Sequence, residues 1–278
     1  MNNAKICCIA LGGGGKKALN LLKKEVQGDL KFLEVDKKFF KNSEEEKDKI
    51  KNEIGKSDIV FIILGLGGKT GMGLVSEVAE IGKSSGALTI GVATMPFSFE
   101  GRKIREIANQ GLEKLKNSFD AYILVENDNL TKLSDSAMTM TEAFKVSDCL
   151  LSRAIRGLSD LILIEGMINI EVKDIKDALK GFSEIGIGSA FGEDRAIKAA
   201  KDAIKSPLLQ KPMKDAQKLI INVTGGRDLS LNEVVDAVKI LTEEVSENAA
   251  IHFGAVVDEK EKQSIYITII ASDFRKEP

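Results

Sequence analysis

GLGGKTGMG, residues Gly65 to Gly73, lies between the apolar run DIVFIIL and the amphipathic segment LVSEVAEIGK. This order predicts a buried strand, a glycine-rich turn and a helix. Glycines adopt backbone conformations closed to other residues and let a ligand approach the amides closely. At the start of a helix, unpaired N–H groups and the positive end of the helix dipole favour a phosphate. The turn is therefore a candidate phosphate site, and Lys69 in its middle requires an explanation.

The rest of the first half repeats this alternation of strand-like and helix-like segments. The strand-like segments are KICCIAL, LKFLEV, ALTIGVAT and AYILVE, and the helix-like ones are KALNLLKKEV and GRKIREIANQGLEKLK. Such alternation predicts an α/β fold with a doubly wound, mostly parallel sheet. Residues 39–57 have few apolar side chains, which predicts a solvated helix or loop. Ligands bind such sheets where loops leave the carboxyl ends of the strands, so the turns at Gly12–Gly15 and Gly65–Gly73 are expected to share one ligand.

The second half predicts a connecting helix and a smaller domain. Thr139 followed by Glu142 is a capping-box pattern at the start of a long amphipathic segment. Later segments predict the helices DIKDALKG, GEDRAIKAAKDAIKS and LNEVVDAVKILTEEV and the strand KLIINVTGG. The hairpin-like strands AAIHFGAVVD and QSIYITIIAS then indicate a smaller α+β domain with a mixed or antiparallel sheet. The predicted divisions are an N-terminal domain of residues 1–138, a helix of residues 139–165 and a C-terminal domain of residues 166–278.

Composition limits the classes of partner. The chain has 278 residues, 43% of them hydrophobic and 29% charged, and a net charge of −2. It lacks the positive excess needed to neutralise phosphates along nucleic acid, so no nucleic-acid partner is expected. Cys7, Cys8 and Cys149 are too few and too poorly spaced for disulfides or a zinc site, which favours a reducing cytoplasm and no bound metal of that kind. No apolar run reaches ~18 residues, so no direct membrane insertion is expected.

The glycine turns do not match the common nucleotide motifs. A Walker-type loop needs glycine six positions before its lysine, where Ile63 stands. A dinucleotide fingerprint needs glycine at Thr70 or at Lys17, depending on its starting point. The glycine turns alone therefore fit two interpretations: they bind a phosphate-bearing ligand, or they are tight turns that merely pack strands on helices.

A set of short motifs nevertheless occurs in the order found in one family. These motifs are GGGG, GLGGKTGMG, PFSFEGRK, the ND of VENDNL, INIEVKD, GEDRA, SPLL and GGRDLSLNE. In this order the chain resembles FtsZ, the tubulin-like division GTPase of bacteria and archaea, over nearly its whole length. The resemblance implies a GTP-binding domain, a central helix and a C-terminal activation domain. It also implies head-to-tail filaments of the protein with GTP or GDP between subunits, and division or membrane-adaptor proteins as further partners.

The resemblance implies that both glycine turns surround the phosphates. Thr70 would offer a hydroxyl to them, although an ordinary helix cap is the alternative for this residue. Glu100 would bind the ribose, and the alternative is a surface carboxylate. The implied nucleotide-binding residues are Gly12, Gly13, Gly14, Lys17, Gly65, Leu66, Gly67, Gly68, Lys69, Thr70, Gly71, Pro96, Glu100, Asn127, Phe144 and Asp148.

Three of these residues would recognise the base. By the resemblance, Asn127 contacts guanine, Phe144 stacks on it, and Asp148 pairs with its Watson–Crick edge. A carboxylate that accepts two N–H bonds from guanine gives a physical reason to choose guanine over adenine, which lacks that donor pair. The alternatives are a turn residue, a core aromatic and a solvated helix position.

The resemblance places catalysis in GMINIEVKD, which enters the nucleotide pocket of the neighbouring subunit in the family. There Asn169, Glu171 and Asp174 would position the attacking water and help to hold Mg²⁺ or a monovalent cation. The middle residue is Glu where Asp is usual, and a displacement of ~1 Å can cost ~100-fold in rate. The alternative is a capped helix start, in which Asn169 and Asp174 only bond nearby amides.

The chain departs from the family pattern around the phosphates. The segment between the glycine turns is shorter than usual and has no recognisable counterpart of the loop that touches the terminal phosphate. Lys69 replaces a glycine, and Ile104 stands where an arginine often contacts the nucleotide. Lys69 either points at the β- or γ-phosphate or faces solvent. Three functions thus remain open: an assembling GTPase, an FtsZ-like filament or regulatory protein with weak or no hydrolysis, and a dinucleotide-dependent enzyme, which the glycine spacing disfavours.

Overall fold

A computed structural model describes residues 4–26, 28–36, 43–133, 138–164, 166–206 and 208–274. The chain divides between Arg156 and Gly157 into two compact units, called here the N-terminal and C-terminal units. The strands are β1 Ile6–Leu11, β2 Leu30–Val35, β3 Ile59–Gly65, β4 Leu88–Met95, β5 Ala121–Glu126, β6 Gly181–Phe191, β7 Ala216–Gly225, β8 Ala250–Val257 and β9 Ser264–Phe274. The helices are α1 Gly12–Glu25, α2 Ser43–Ile54, α3 Lys69–Ser84, α4 Arg102–Ser118, α5 Met140–Leu163, α6 Val172–Ala178, α7 Arg195–Ile204 and α8 Leu231–Thr242.

The N-terminal unit contains a parallel sheet in the order β2-β1-β3-β4-β5. Every residue of β1 and β4 is buried, as are the first six of β3. Strands buried on both faces are typical of parallel sheets covered by helices, and the apolar runs ICCIAL and IVFIIL supply them. The predicted doubly wound α/β arrangement is confirmed.

Both glycine segments lie at the carboxyl ends of strands, but the first is not a separate turn. Helix α1 begins at Gly12, directly after β1, so Gly12 to Gly15 form its first turn rather than a loop that precedes it. Gly12 makes this possible because its φ of +69° is unfavourable for other residues. In the second segment Lys69 is already the first residue of α3, so only Leu66 to Gly68 connect strand and helix.

Gly15 has a packing role. A Cβ placed on Gly15 would lie 2.2 Å from the carbonyl oxygen of Ile63 in β3. Helix α1 therefore packs against the sheet at a distance that only glycine allows. The segment predicted as a solvated helix or loop contains α2 in its described part, where Ile50 and Ile54 are buried.

The division between the units falls inside α5. Its start has the predicted capping box, in which Thr139 N–H donates to Glu142 Oε2 at 2.8 Å and Glu142 N–H donates to Thr139 Oγ1 at 3.3 Å. The predicted boundaries after residues 138 and 165 stay predictions.

The C-terminal unit contains a mixed sheet in the order β6-β9-β7-β8. Strand β9 is antiparallel to β6 and β7, and β8 is parallel to β7. The predicted mixed sheet is confirmed, but the predicted hairpin is wrong, because β8 and β9 each pair with β7 rather than with each other. Strand β6 had no counterpart in the sequence prediction.

Glycines explain why β6 escaped prediction. In GFSEIGIGSAF they interrupt the alternation of apolar and polar side chains that marks a strand. A Cβ at Gly188 would lie 2.0 Å from the carbonyl oxygen of Ala199, and one at Gly186 would lie 2.5 Å from that of Ala203. The glycines therefore admit the backbone of α7 close to the strand.

Candidate functional site

A pocket of about 290 Å³ opens in the N-terminal unit, at the carboxyl ends of its strands. This volume is near the lower end of those that hold small molecules. The pocket lies where ligands bind doubly wound sheets. Its lining consists of Gly14, Lys17, Gly65, Leu66, Gly67, Gly68, Thr94, Pro96, Glu100, Ile104, Asn127, Phe144, Ser147 and Asp148.

The two glycine segments meet at this pocket. A Cβ on Gly14 would lie 3.5 Å from the backbone nitrogen of Gly65, and one on Gly12 would lie 3.4 Å from that of Gly71. By contrast, a Cβ on the exposed Gly13 would meet nothing within 4 Å. The contacts at Gly12 and Gly14 are ordinary van der Waals distances, so packing does not require glycine at either position. Open backbone at Gly13 and Gly14 suits a ligand that approaches the amides.

Helices α1 and α3 both begin here without side-chain caps. Their N-cap residues are Leu11 and Gly68, neither of which has a side chain that caps the first turn, and neither first turn contains an acidic residue. Helix α8 of the same chain is capped by the Ser230 side chain, which accepts from Glu233 N–H, whereas α4 and α7 have no side-chain cap. The position of α1 and α3 at the pocket, and not the missing cap alone, therefore marks them as candidates. The first N–H groups of a helix need partners, and two positive helix ends at one pocket suit an anion.

An aromatic cluster reaches the pocket through Phe144. The ring of Phe97 stacks on that of Phe99 with centroids 4.9 Å apart, and it meets the ring of Phe144 edge-on at 5.3 Å. Phe144 lines the pocket, and Phe99 is 54% exposed. Contacts with the other two rings fix Phe144, which provides an apolar surface of the kind on which planar bases stack.

The same pocket is also lined by polar side chains, among them Asn127, Ser147, Asp148 and Glu100. The Ser147 hydroxyl donates to Asn127 Oδ1 at 2.8 Å, and both side chains are buried. Burial raises the pKa of the Asp148 carboxyl above its ordinary value, and the Lys17 ammonium partly offsets that rise. The Glu100 carboxylate accepts from Phe97 N–H at 2.8 Å through Oε1, which fixes this side chain at the pocket.

The predicted nucleotide-binding residues divide into two groups. Gly14, Lys17, Gly65, Leu66, Gly67, Gly68, Pro96, Glu100, Asn127, Phe144 and Asp148 line the pocket, whereas Gly12, Gly13, Lys69, Thr70 and Gly71 lie outside its lining. Lys69 is exposed at the start of α3. Lys16, next to Lys17, is instead paired with Asp36 at 3.4 Å and Glu34 at 3.5 Å.

Three pocket residues, Thr94, Ile104 and Ser147, were not among the predicted nucleotide-binding residues, and of these only Ile104 had been noted, as standing in place of an arginine. Thr94 is near the end of β4, and the rule that ligands bind at strand ends could have found it. Ser147 precedes Asp148 on α5, and no pattern in the sequence distinguishes it from a helix serine that faces the core.

The predicted catalytic residues lie together in the C-terminal unit. Asn169 and Glu171 are exposed on the segment before α6, and Asp174 is in the first turn of that helix. Asn169 Oδ1 accepts from Gly166 N–H at 2.9 Å, and Asp174 Oδ2 accepts from Glu171 N–H at 3.3 Å. The local bonds of the capped-helix alternative are thus present, yet they leave the Asn169 amide nitrogen and the Glu171 carboxylate at the surface.

Strand β8 fixes the start of this segment. Met167 N–H donates to the Ala255 carbonyl at 2.8 Å, and Ala255 N–H donates to that of Ile168 at 3.0 Å. His252 of the same strand brings Nδ1 within 4.0 Å of Asp174 Oδ1. This neighbour could not be predicted from the sequence, because it lies far from Asp174 along the chain.

The fold and the pocket define a tubulin-like GTPase domain. The pattern of the Tubulin/FtsZ family, GTPase domain, matches residues 35–135, and that of the FtsZ family, C-terminal domain, matches residues 181–275. An empty FtsZ dimer structure from M. jannaschii is 33% identical over 97% of this chain and 88% of that chain, with a TM-score of 0.89.

Two further solved structures are similar to this chain. An FtsZ mutant from M. jannaschii is 31% identical over 98% of this chain and 92% of that chain, also with a TM-score of 0.89. CetZ from Methanosaeta thermophila shares the fold at 18% identity, over 99% of this chain and 88% of that chain, with a TM-score of 0.75. The chain belongs to the FtsZ family. Among the residues that the structure describes, no helix is long and apolar enough to cross a membrane.

Proposed function

We propose that this protein binds GTP in the pocket of the N-terminal unit, assembles head-to-tail and hydrolyses the nucleotide at the junction between subunits. The observation that carries the proposal is the pair of uncapped helix starts, α1 and α3, beside the pocket that Phe144 and Asp148 line. The helix ends supply N–H donors and positive dipole ends for the phosphates. The Phe144 ring and the Asp148 carboxylate, which also line the pocket, suit a guanine base.

The predicted catalytic residues support the assembly part of the proposal. Asn169 and Glu171 are exposed, and backbone bonds to β8 fix the segment that leads to them. A fixed surface segment with a carboxylate and an amide can enter the pocket of a second copy and orient water there. Hydrolysis then requires assembly, and loss of the terminal phosphate loosens the junction. Mg²⁺ or a monovalent cation at the phosphates, division or membrane-adaptor proteins as partners, and a role in cell division complete the proposal.

The proposal is tested by phosphate release at increasing protein concentration, together with identification of the nucleotide that copurifies. We expect guanine nucleotide and a rate per subunit that rises steeply above a threshold concentration. Asp174→Ala should abolish release and retain GTP binding. Asp177→Ala removes an exposed carboxylate three residues later and should match the unmodified protein. Release that is independent of concentration, or equal in the two variants, contradicts the proposal.

A second candidate is an FtsZ-like filament or regulatory protein with weak or no hydrolysis. It is favoured by Lys69, which occupies a position of a family glycine yet is exposed outside the pocket lining. Light scattering in the same experiment separates the two functions. Nucleotide-dependent assembly without phosphate release supports the second candidate.

A further inference from the structure

Asn127 and Ser147 are joined at the side of the pocket where we place the base. The Ser147 hydroxyl donates to Asn127 Oδ1 at 2.8 Å, and each residue is only 4% exposed. Asn127 directly follows β5, and Ser147 lies on α5 between Phe144 and Asp148. Both line the pocket. A buried hydrogen bond therefore connects Asn127, which is expected to read the base, to a residue between the other two.

This bond commits one end of the Asn127 amide. An asparagine side chain has an acceptor end and a donor end, and the acceptor end here is satisfied by Ser147. Asn127 Nδ2 makes no hydrogen bond to any residue in the described part of the chain, and the side chain borders the cavity. The donor end is thus the one left for a ligand. With the amide reversed, Asn127 Nδ2–H could donate to Ser147 Oγ, but the hydrogen of the Ser147 hydroxyl would then have no acceptor among the described residues. An unsatisfied buried donor is costly, so the orientation in which Ser147 donates to Oδ1 is favoured.

We propose that Ser147 is a positioning residue that keeps the donor end of Asn127 towards the base and thereby contributes to guanine selectivity. This inference rests on the proposed function. At the 6-position guanine carries a keto oxygen, which accepts a hydrogen bond, and adenine carries an amino group, which donates one. A fixed N–H donor therefore favours guanine and opposes adenine. Asp148 has the opposite polarity and accepts from the ring N–H and amino groups of guanine, so the two side chains together read its Watson–Crick edge.

The test measures dissociation constants for GDP and ADP in the full-length protein. In Ser147→Ala the amide is free to reverse, and we expect GDP affinity to fall about fivefold, the value of one neutral hydrogen bond, while ADP affinity stays equal or rises. Asn127→Ala should produce a similar loss, and the double variant should lose no more than Asn127→Ala alone, because Ser147 acts through Asn127. Ser152→Ala is the matched control, since it removes another buried hydroxyl from α5 and should change neither constant.

A purely structural serine would lower both affinities together or leave both unchanged, so the GDP-to-ADP ratio decides the question. An unchanged ratio in Ser147→Ala, or additive losses in the double variant, overturns the inference while the proposed function stands. If the unmodified protein binds no guanine nucleotide, both are overturned. Should Ser147→Ala fail to fold, Asn127→Asp keeps an acceptor for Ser147 and replaces the donor end with an oxygen. It should weaken GDP and strengthen ADP, and the opposite result overturns the inference.

Discussion

Two glycines of the first motif, Gly13 and Gly15, are required for different reasons, so the same substitution should affect stability differently at each. Alanine at Gly15 would place its Cβ 2.2 Å from the carbonyl oxygen of Ile63, whereas real Cβ contacts essentially never fall below 3.0 Å. Helix and strand would have to separate by at least 0.8 Å, the difference between these two distances. Alanine at Gly13 would meet nothing within 4 Å.

The magnitudes follow from packing and helix propensity. Overpacking a core costs about 1–3 kcal/mol, and replacing a helical glycine by alanine returns about 0.5–1 kcal/mol. Because the clash at Gly15 is with backbone, the upper packing cost applies, and Gly15→Ala should lower the free energy of unfolding by about 2–2.5 kcal/mol. Gly13→Ala should leave it unchanged or raise it by up to about 1 kcal/mol, because only the propensity gain applies.

The assay is urea unfolding without nucleotide, followed by GDP titration of each variant. Gly13→Ala should be at least as stable as the unmodified protein yet bind GDP more than about tenfold more weakly, because the methyl group stands where the phosphates approach the amides. Equal stability of Gly15→Ala and the unmodified protein would refute the packing argument. Undiminished GDP binding by Gly13→Ala would refute the phosphate argument.

Further predictions concern Lys69, Glu171 and Glu233. If Lys69 reaches the β- or γ-phosphate, Lys69→Ala weakens nucleotide binding by at least ~1.5 kcal/mol, and an unchanged dissociation constant identifies it as a solvent-facing residue. Glu171→Asp, which restores the usual carboxylate length, should raise phosphate release without altering GTP affinity, and an unchanged rate argues against a role at the reacting phosphate. The hydrogen bond from Arg195 lowers the pKa of Glu233 from 4.5 to about 2. The stabilisation of the fold by the ionised Glu233 carboxylate is therefore complete above pH 4.5 and is lost as the pH falls towards 2. The stability difference between the unmodified protein and Glu233→Gln, at most about 3 kcal/mol at neutral pH, should shrink over that window in acid unfolding, and a constant difference contradicts the assignment.

The N-terminal unit could be predicted from the sequence because its strands carry strong local signals. ICCIAL and IVFIIL are uninterrupted apolar runs, and each is followed by an amphipathic segment. Strand β6 could not be predicted, because Gly186 and Gly188 serve contacts with α7 that only the folded chain reveals. The pairing of β9 between β6 and β7 is equally non-local, and the hairpin expected from sequence proximity was therefore wrong.

The candidate site, too, could be predicted from the sequence only in part. Glycine segments at strand ends pointed to the pocket, and the resemblance to FtsZ supplied Phe144 and Asp148, which line it. The bond between Ser147 and Asn127 joins residues twenty positions apart and depends on where α5 meets the end of β5. The proximity of His252 to Asp174 likewise arises because α6 and β8 meet only in the fold. Chemical partners brought together by packing leave no local pattern in the sequence.

The central claim, that one molecule holds the nucleotide and the next supplies the reacting groups, is tested most directly by mixing two inactive variants. Asp148→Ala should impair the pocket and leave the catalytic segment intact. Asp174→Ala should impair the catalytic segment and leave the pocket intact. In an equimolar mixture about a quarter of head-to-tail junctions join an intact pocket to an intact segment. We expect phosphate release to recover to about that fraction of the unmodified rate. No recovery in assemblies shown to contain both variants, or full activity of Asp174→Ala alone, would contradict the account.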